Sequence, residues 1–364
     1  MHRRPFLLGI AALPFAAREA AALEAVSPER TLVFPRDFGA HPSTQIEWWY
    51  ATGWLAAASA PAVPTHGFQV TFFRSRTGVD AAQPSRFAAT QLIFVHTALT
   101  DLNAQRLRHD QRIARSGMGI AGASIDDTAA NLRGWKFERS GTPEASRYRT
   151  RIASEAVGFS FDFTLATTQP LLLQGTNGYS RKGPRPGQAS HYYSQPQLAV
   201  TGTLGVDGRS QPVVGRAWLD HEWSDALLDP QAVGWDWIGM NLDDGGALTA
   251  FRLRRADGSV LYAGGSFRPP GGKVRNFAPD EVQFNPGRTW ASAATRATYP
   301  VQWTVTTPAG TFAVHSLLDD QELDSRNSTG SVYWEGLSEL KDASGQRIGR
   351  GYLEMTGYAG ALRL

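Results

Sequence analysis

From Leu32 onward the chain alternates short apolar or aromatic-rich runs with clusters of Gly, Pro, Asn and Asp. Ile46 to Leu55, Gly67 to Arg74, Gln91 to Leu99, Trp135 to Arg139, Tyr148 to Ala153 and Gly158 to Leu165 each read as a strand whose alternate side chains take opposite faces. Pro84, Pro170 and the Gly183 to Gly187 stretch (GPRPG) fall between runs, where a missing N–H costs no ladder bond. Helical periodicity is scarce, with Pro279 to Gln283 and Ser224 to Leu228 as modest candidates. The pattern predicts an all-β fold of antiparallel barrels or sandwiches.

The densest chemistry lies in a hairpin-like segment from Val213 to Arg255. At a period of two, Ala217, Leu219, His221 and Trp223 share one face and Arg216, Trp218, Asp220 and Glu222 the other. Beyond Asp229 and Pro230, Trp235 and Trp237 share a face and Asp236 takes the opposite one. The turn residues Asp243-Asp244-Gly245-Gly246 then lead into a returning strand, Ala247 to Arg254. A β core accounts for the tryptophans, since aromatic residues dominate strand burial. It does not account for Asp220, His221 and Glu222 between Trp218 and Trp223. Ionisable groups among aromatics need partners and shift their pKa, in functional sites and in structural networks alike.

Other aromatic clusters join this one as candidate ligand contacts. In Glu47-Trp48-Trp49-Tyr50, Trp48 and Tyr50 face one way and Glu47 and Trp49 the other, so one pair lines a cavity or a surface between domains. Tyr192 and Tyr193, in Ser190-His191-Tyr192-Tyr193-Ser194, read either as a cavity rim or as a solvated loop. Arg181 and Lys182 read as an anion site or, more simply, as an exposed basic loop. Short echoes relate Tyr50-Ala51-Thr52-Gly53 to Met355-Thr356-Gly357-Tyr358, and Trp48-Trp49-Tyr50 to Tyr333-Trp334-Glu335, which argues for two related halves.

Several chemistries are excluded or disfavoured. There is no cysteine for thiol catalysis or a disulfide, and no G-x-S-x-G elbow. The eight histidines are scattered, without an H-E-x-x-H or H-x-H pair, so no metal or other cofactor is expected. Residues 1 to 22 read as a twin-arginine export signal: Arg3-Arg4-Pro5-Phe6-Leu7, an apolar run to Ala17, and a small-residue site at Ala20-Ala21-Ala22. Removing it cuts the formal charge from +3 to +1, which leaves no basic stripe for nucleic acid. No later run is long enough for a transmembrane helix, and a periplasmic or secreted location is expected.

Five blocks in order, IEWWYATGWL, SHYYSQPQLAVTGTL, GRAWLDHEWSDALL with GWDWIGMNLDDG, VYWEGLSEL and GRGYLEMTGY, resemble the carotenoid 1,2-hydratase and AttH-like family, often labelled predicted secreted hydrolases. The resemblance implies two consecutive lipocalin-like β-barrels with a cavity in or between them, placed here at 30–205 and 211–364. It also implies an apolar small-molecule ligand, isoprenoid or lipid-like. The family's His-x-Trp maps onto His221 and Trp223, but the Tyr and Asp of the carotenoid hydratases have no counterpart in Ala247 to Phe251. Two readings follow. One is a hydratase or hydrolase using His221, Trp223 and a carboxylate among Asp220, Glu222 and Asp236. The other is a non-catalytic carrier holding its ligand through Trp48, Trp49, Tyr50, Tyr192, Tyr193, Trp235, Trp237 and Trp334. A partner in export or lipid transport is compatible with either.

Overall fold

The computed structural model describes residues 26–80, 82–226 and 228–362, so the expected export signal lies outside the described residues. The fold is all-β: among the described residues the only helical turns are 3-10 turns at Arg36–Phe38, Pro143–Ala145 and Pro279–Glu281. No helix among them is long and apolar enough to cross a membrane. The alternating runs form strands within a residue or two of their sequence limits, among them Ile46–Ala57, His66–Arg76, Gln91–Asp101, Arg147–Ser154 and Phe159–Ala166. Ser224 to Leu228 forms no helix among its described residues.

Two large antiparallel sheets carry the molecule. The first runs from the edge strand Arg106–Arg115 through Gln91–Asp101, His66–Arg76, Ile46–Ala57, Arg209–Ser224, Ala189–Val206, Phe159–Ala166 and Arg147–Ser154 to three short strands. The second runs from Arg275–Phe277 through Val260–Arg268, Ala247–Arg254, Gly234–Leu242, Arg347–Met355, Ser331–Lys341, Gly310–Ser316 and Gln302–Thr307 to Gln283–Pro286. The orders match. In each, a four-strand meander is closed by its first strand pairing with the last strand of the unit, and that strand pairs with the one before it. The halves are therefore repeats, but the registration differs from the one the short echoes suggested. Ile46–Ala57 corresponds to Gly234–Leu242, Ala189–Val206 to Ser331–Lys341, and Arg209–Ser224 to Arg347–Met355.

The change of sheet also falls later than the expected boundary at 205–211. Those residues form the turn of the hairpin between Ala189–Val206 and Arg209–Ser224, with Val206 opposite Arg209, so the strand rich in Trp and acids belongs to the first sheet. The chain crosses to the second sheet between Ser224 and Gly234.

Each barrel has its own core. Trp49, Phe68, Phe72, Tyr193, Leu219 and Trp223 fill the first, and Ile238, Met240, Trp303, Trp334 and Met355 the second. An ionic brace crosses the first core. The Glu47 carboxylate, fully buried, takes Arg74 Nε at 2.7 Å, His221 Nε2 at 2.8 Å, His41 Nδ1 at 2.7 Å and the His41 N–H at 2.9 Å, while His41 Nε2 meets Asp37 at 2.9 Å. Burial alone would raise the Glu47 carboxyl, but His41, His221 and Arg74 outweigh it and hold it well below the usual carboxylate range.

Removing one partner of such a network leaves a buried charge uncompensated. Glu47→Ala should therefore lower stability by about 3–5 kcal/mol, read as a reduced midpoint of urea unfolding. A loss of under about 1 kcal/mol, the size of an exposed pair, would show that the brace does not hold the barrel.

Candidate functional site

Antiparallel pairing lines up the sequence clusters in rows across three strands. In the first sheet Tyr50 stands opposite Asp220, which stands opposite Ser194; one step along, Trp48, Glu222 and Tyr192 form the next row. The alternate rows, Trp49–His221–Tyr193 and Glu47–Trp223–His191, point into the barrel. In the second sheet the row corresponding to Tyr50–Asp220–Ser194 is Trp237–Glu354–Glu335. The outward rows of the two sheets face one another across a cavity of about 140 Å³ lined by Trp48, Tyr50, Tyr192, Trp237, Phe251 and Tyr333, with Asp220, Glu222, Glu335 and Glu354 among them. A cavity of this size accommodates about one benzene-like ring.

The four carboxyls are not equivalent. Asp220 accepts from Ser194 Oγ at 2.5 Å, Trp218 Nε1 at 2.7 Å and the Tyr192 hydroxyl at 2.8 Å. Burial pushes Asp220 up to about 7 against those three donors, and the Glu222 charge adds to the rise. Glu222 accepts from Ser190 Oγ and pairs with Lys182 Nζ at 3.1 Å, and the same ammonium lies 4.5 Å from the Tyr192 ring centre and 4.6 Å from that of Phe251. Glu335 and Glu354 stand directly opposite on neighbouring strands. Burial, then the charge of Glu354, pushes Glu335 well above the carboxylate range; burial pushes Glu354 up to about 7, with Asp220 and Glu222 raising it further. Two carboxyls so placed cannot both ionise. The cavity thus holds a carboxyl that keeps its proton, a second group poised near neutrality across from it, and an ion-paired third.

The sequence candidates divide by strand face. Trp48, Tyr50, Tyr192, Trp235, Trp237, Asp220 and Glu222 line the cavity. Trp49, Tyr193, His221 and Trp223 lie inside the first barrel, and Trp334 inside the second with its Nε1 on the Asp319 carbonyl at 2.7 Å. His221 is fully buried, and both of its ring nitrogens are engaged: Nδ1 by the Tyr193 hydroxyl at 3.0 Å, Nε2 by Glu47. Burial lowers it to about 4 against the pull of Glu47, so it stands neutral as an Nε2–H donor. Asp236 lies inside the second barrel, ion-paired with Arg252 at 2.7 Å and Arg254 at 3.0 Å and accepting from the Tyr358 hydroxyl at 2.9 Å. Residues 190–194 are a buried strand rather than a solvated loop, and Lys182 is an ion-paired cavity residue rather than an exposed one. Glu335, Glu354 and Phe251 were not read from the sequence. The alternation in VYWEG, which puts Tyr333 and Glu335 on the face opposite Trp334, was the available signal.

His41, Glu47 and His221 bring three metal-type donor atoms within 4.8 Å of one another. They point at each other through hydrogen bonds, and the Arg74 guanidinium sits on the same carboxylate. A fixed cation against the central ligand opposes a second cation there, so the donor set fits the ionic brace and not a metal.

The AttH-like family model matches residues 25–358. An AttH homologue from Nitrosomonas europaea, seen in a crystal structure, is 49% identical, with a TM-score of 0.84 over 92% of this chain and 99% of that one. Kievitone hydratase from Nectria haematococca superposes with a TM-score of 0.68 at 16% identity, covering 91% of this chain and 94% of that one. A structure of CghA with Sch210972 gives 0.54 at 11% identity, over 86% and 88%. At those last two identities the likeness is one of fold. No curated protein sequence matches the chain.

Asp220 gains proton affinity on folding, since its pKa rises from about 4 in the unfolded chain to about 7. Its contribution is fully favourable below about pH 4 and is lost as pH rises through about 7. Asp220→Asn should flatten the fall in stability between about pH 5 and pH 8, so that the variant gains on the wild type at the higher pH. Urea midpoints at both pH values decide it; an unchanged pH slope would remove Asp220 as a proton-holding group.

Proposed function

The chain belongs to the AttH-like family, and from that premise we propose that it is a hydratase acting on an apolar alkene bound between the two barrels. The observation that carries this reading is the pairing, across one aromatic cavity, of a carboxyl held protonated with a carboxyl poised near neutrality. Adding water to an alkene needs an acid that keeps its proton at neutral pH, an electron-rich surround for the developing cation, and a base for the water.

Glu335 serves as the acid. Its O–H bond breaks as a C–H bond forms at one alkene carbon, and the adjacent Glu354 replaces its proton. The faces of Trp48, Tyr50 and Trp237 stabilise positive charge at the other carbon. Water forms the C–O bond there and gives its proton to Asp220, whose Tyr192, Ser194 and Trp218 donors fix the carboxylate's orientation. Return of that proton from Asp220 to Glu354 across the cavity restores the starting state, so the sum is one water added, with no net oxidation or reduction and no cofactor. Kievitone hydratase shares the two-sheet architecture and names the same reaction class. An isoprenoid or lipid-like substrate, export by the twin-arginine route and delivery by a transport partner belong to the same proposal, supported by the aromatic lining and by residues 1–22.

The test incubates the mature protein with apolar cell extract in heavy-oxygen water and follows products by mass spectrometry. A product heavier than its precursor by one labelled water supports hydration, and Glu335→Gln should lower kcat by roughly 10²–10⁴-fold while leaving KM within a few fold. Heavy oxygen appearing in one of two cleavage fragments would replace hydration by hydrolysis. Saturable retention of an unchanged compound, unaffected in rate or amount by Glu335→Gln, would establish a carrier instead.

A further inference from the structure

One row of side chains leaves the cavity and reaches the surface. Across the first sheet Glu222 stands opposite Trp48, Trp48 opposite Phe73, Phe73 opposite Phe94 and Phe94 opposite Ile113, so all five share the outward face. Phe73 and Phe94 stack with ring centres 4.6 Å apart. The second barrel covers this face as far as Gln111, whose side-chain amide donates to the Asp324 carbonyl, and Ile113, two residues on, is 37% exposed. The row ends on the edge strand Arg106–Arg115, which among the described residues has no further strand partner on that side.

At that end two connections present apolar side chains to solvent. Phe87, in the loop after His66–Arg76, is 69% exposed; Met118 and Ile120, in the turn after the edge strand, are 56% and 41% exposed. Arg115 ties them together: its guanidinium lies 5.2 Å from the Phe87 ring centre, donates to the Arg86 carbonyl at 3.3 Å and contacts Met118 Sδ at 3.1 Å. None of these partners is an acid. Residues 77–90 contain a single acid, Asp80, and residues 116–121 none, while Arg86 is exposed in the same loop. An apolar surface with Arg115 held among its side chains and Arg86 exposed beside it matches the boundary of an anionic bilayer, where apolar groups enter the acyl region and cations meet phosphate. A soluble protein partner would call for a larger apolar area, and a nucleic acid for a longer row of phosphate-neutralising cations.

We infer that the Phe87–Ile113–Met118 surface docks this protein on an anionic lipid bilayer and that the Ile113–Phe94–Phe73–Trp48 row passes an apolar molecule from the bilayer to the carboxyls of the cavity. The second clause rests on the proposed function; the first does not. Docking by three apolar side chains and two arginines is reversible, since each arginine near a charged surface contributes about fivefold in binding.

The mature protein is sedimented with vesicles of phosphatidylglycerol and phosphatidylcholine in equal parts, and with phosphatidylcholine alone. Binding to the first should exceed binding to the second by at least tenfold and weaken with added salt. Phe87→Ser with Met118→Ser should reduce it at least tenfold, and Arg86→Gln about fivefold, each with an unchanged thermal midpoint. Equal binding to both vesicles, or full binding by the double variant, overturns the proposal. So does a concentration-dependent dimer in the absence of lipid that the double variant abolishes, which would assign the surface to a second copy of the chain. Turnover by the double variant on detergent-dispersed substrate should equal that of the wild type. Turnover without vesicle binding would leave the hydratase standing and sink the docking surface; vesicle binding without turnover would do the reverse.

Discussion

Everything in this molecule depends on the alternation of one strand, Arg209–Ser224, which separates two buried electrostatic environments less than a side chain apart. Successive residues Asp220, His221 and Glu222 point cavity, barrel, cavity. On the barrel side an ion is stabilised because donors surround it: Glu47 takes four, and its proton affinity falls. On the cavity side Asp220, Glu335 and Glu354 are equally dry but have fewer donors and one another's charge, and their proton affinity rises. Burial is common to both faces. The pull of His41 and of the Arg74 guanidinium on Glu47, which has no counterpart at Asp220, Glu335 or Glu354, decides the difference.

The repeat explains why carboxyls from both barrels meet. Asp220 and Glu354 occupy corresponding positions on corresponding strands, in the parallel sequences Trp218-Leu219-Asp220-His221 and Tyr352-Leu353-Glu354-Met355. Tyr50 corresponds to Trp237 and Ser194 to Glu335 by the same register. An outward acid on the closing strand of each barrel becomes, when the two outward faces pack, a pair across a cleft. The halves diverge in what flanks that acid. In the first barrel the neighbour is a hydroxyl, which donates to Asp220; in the second it is another carboxyl, whose charge instead raises the proton affinity of Glu335. Inside the barrels the divergence is as large, since the Trp49–His221–Tyr193 row of the first corresponds to Asp236–Met355–Trp334 in the second.

Strand positions and faces were legible because a period of two is a local property. The split of Trp48 and Tyr50 from Glu47 and Trp49, of Asp220 and Glu222 from His221 and Trp223, and of Trp235 and Trp237 from Asp236 all stand as read. Which face meets the cavity was not legible, because both faces of the central strand are buried and polarity gives no contrast between them. For that reason His221 and Trp223 seemed joined to Asp220 when they lie back to back with it. The expected boundary at 205–211 falls on Val206-Asp207-Gly208, a real turn that sits inside a hairpin; turn chemistry marks a reversal of the chain, not a change of sheet. Glu335 and Glu354 are over 100 residues from Asp220, and their meeting is a property of packing that no local pattern carries. Composition left residues 190–194 open between a cavity rim and a solvated loop; they are buried, and the hydroxyls of Ser190, Tyr192 and Ser194 donate to the cavity acids.

A cavity whose carboxyls are raised by dryness is coupled to whatever fills it. An apolar molecule displaces the remaining water and lowers the local dielectric response, so it favours the neutral over the ionised form of Glu335, Glu354 and Asp220. By linkage the protonated protein then binds that molecule more tightly than the ionised one, and affinity declines as pH rises through about 7, where Asp220 and Glu354 titrate. The same coupling sets the order of events. Under the proposed hydration, a carboxyl would donate best to carbon with aromatic rings around the alkene and no bulk water competing, a state reached with the cavity occupied. The proposed entry row of Ile113, Phe94, Phe73 and Trp48 would serve that requirement, because a molecule travelling along it would arrive without a hydration shell. Burial, which the apolar row extends out towards the surface, is the same cause that raises Asp220, Glu335 and Glu354.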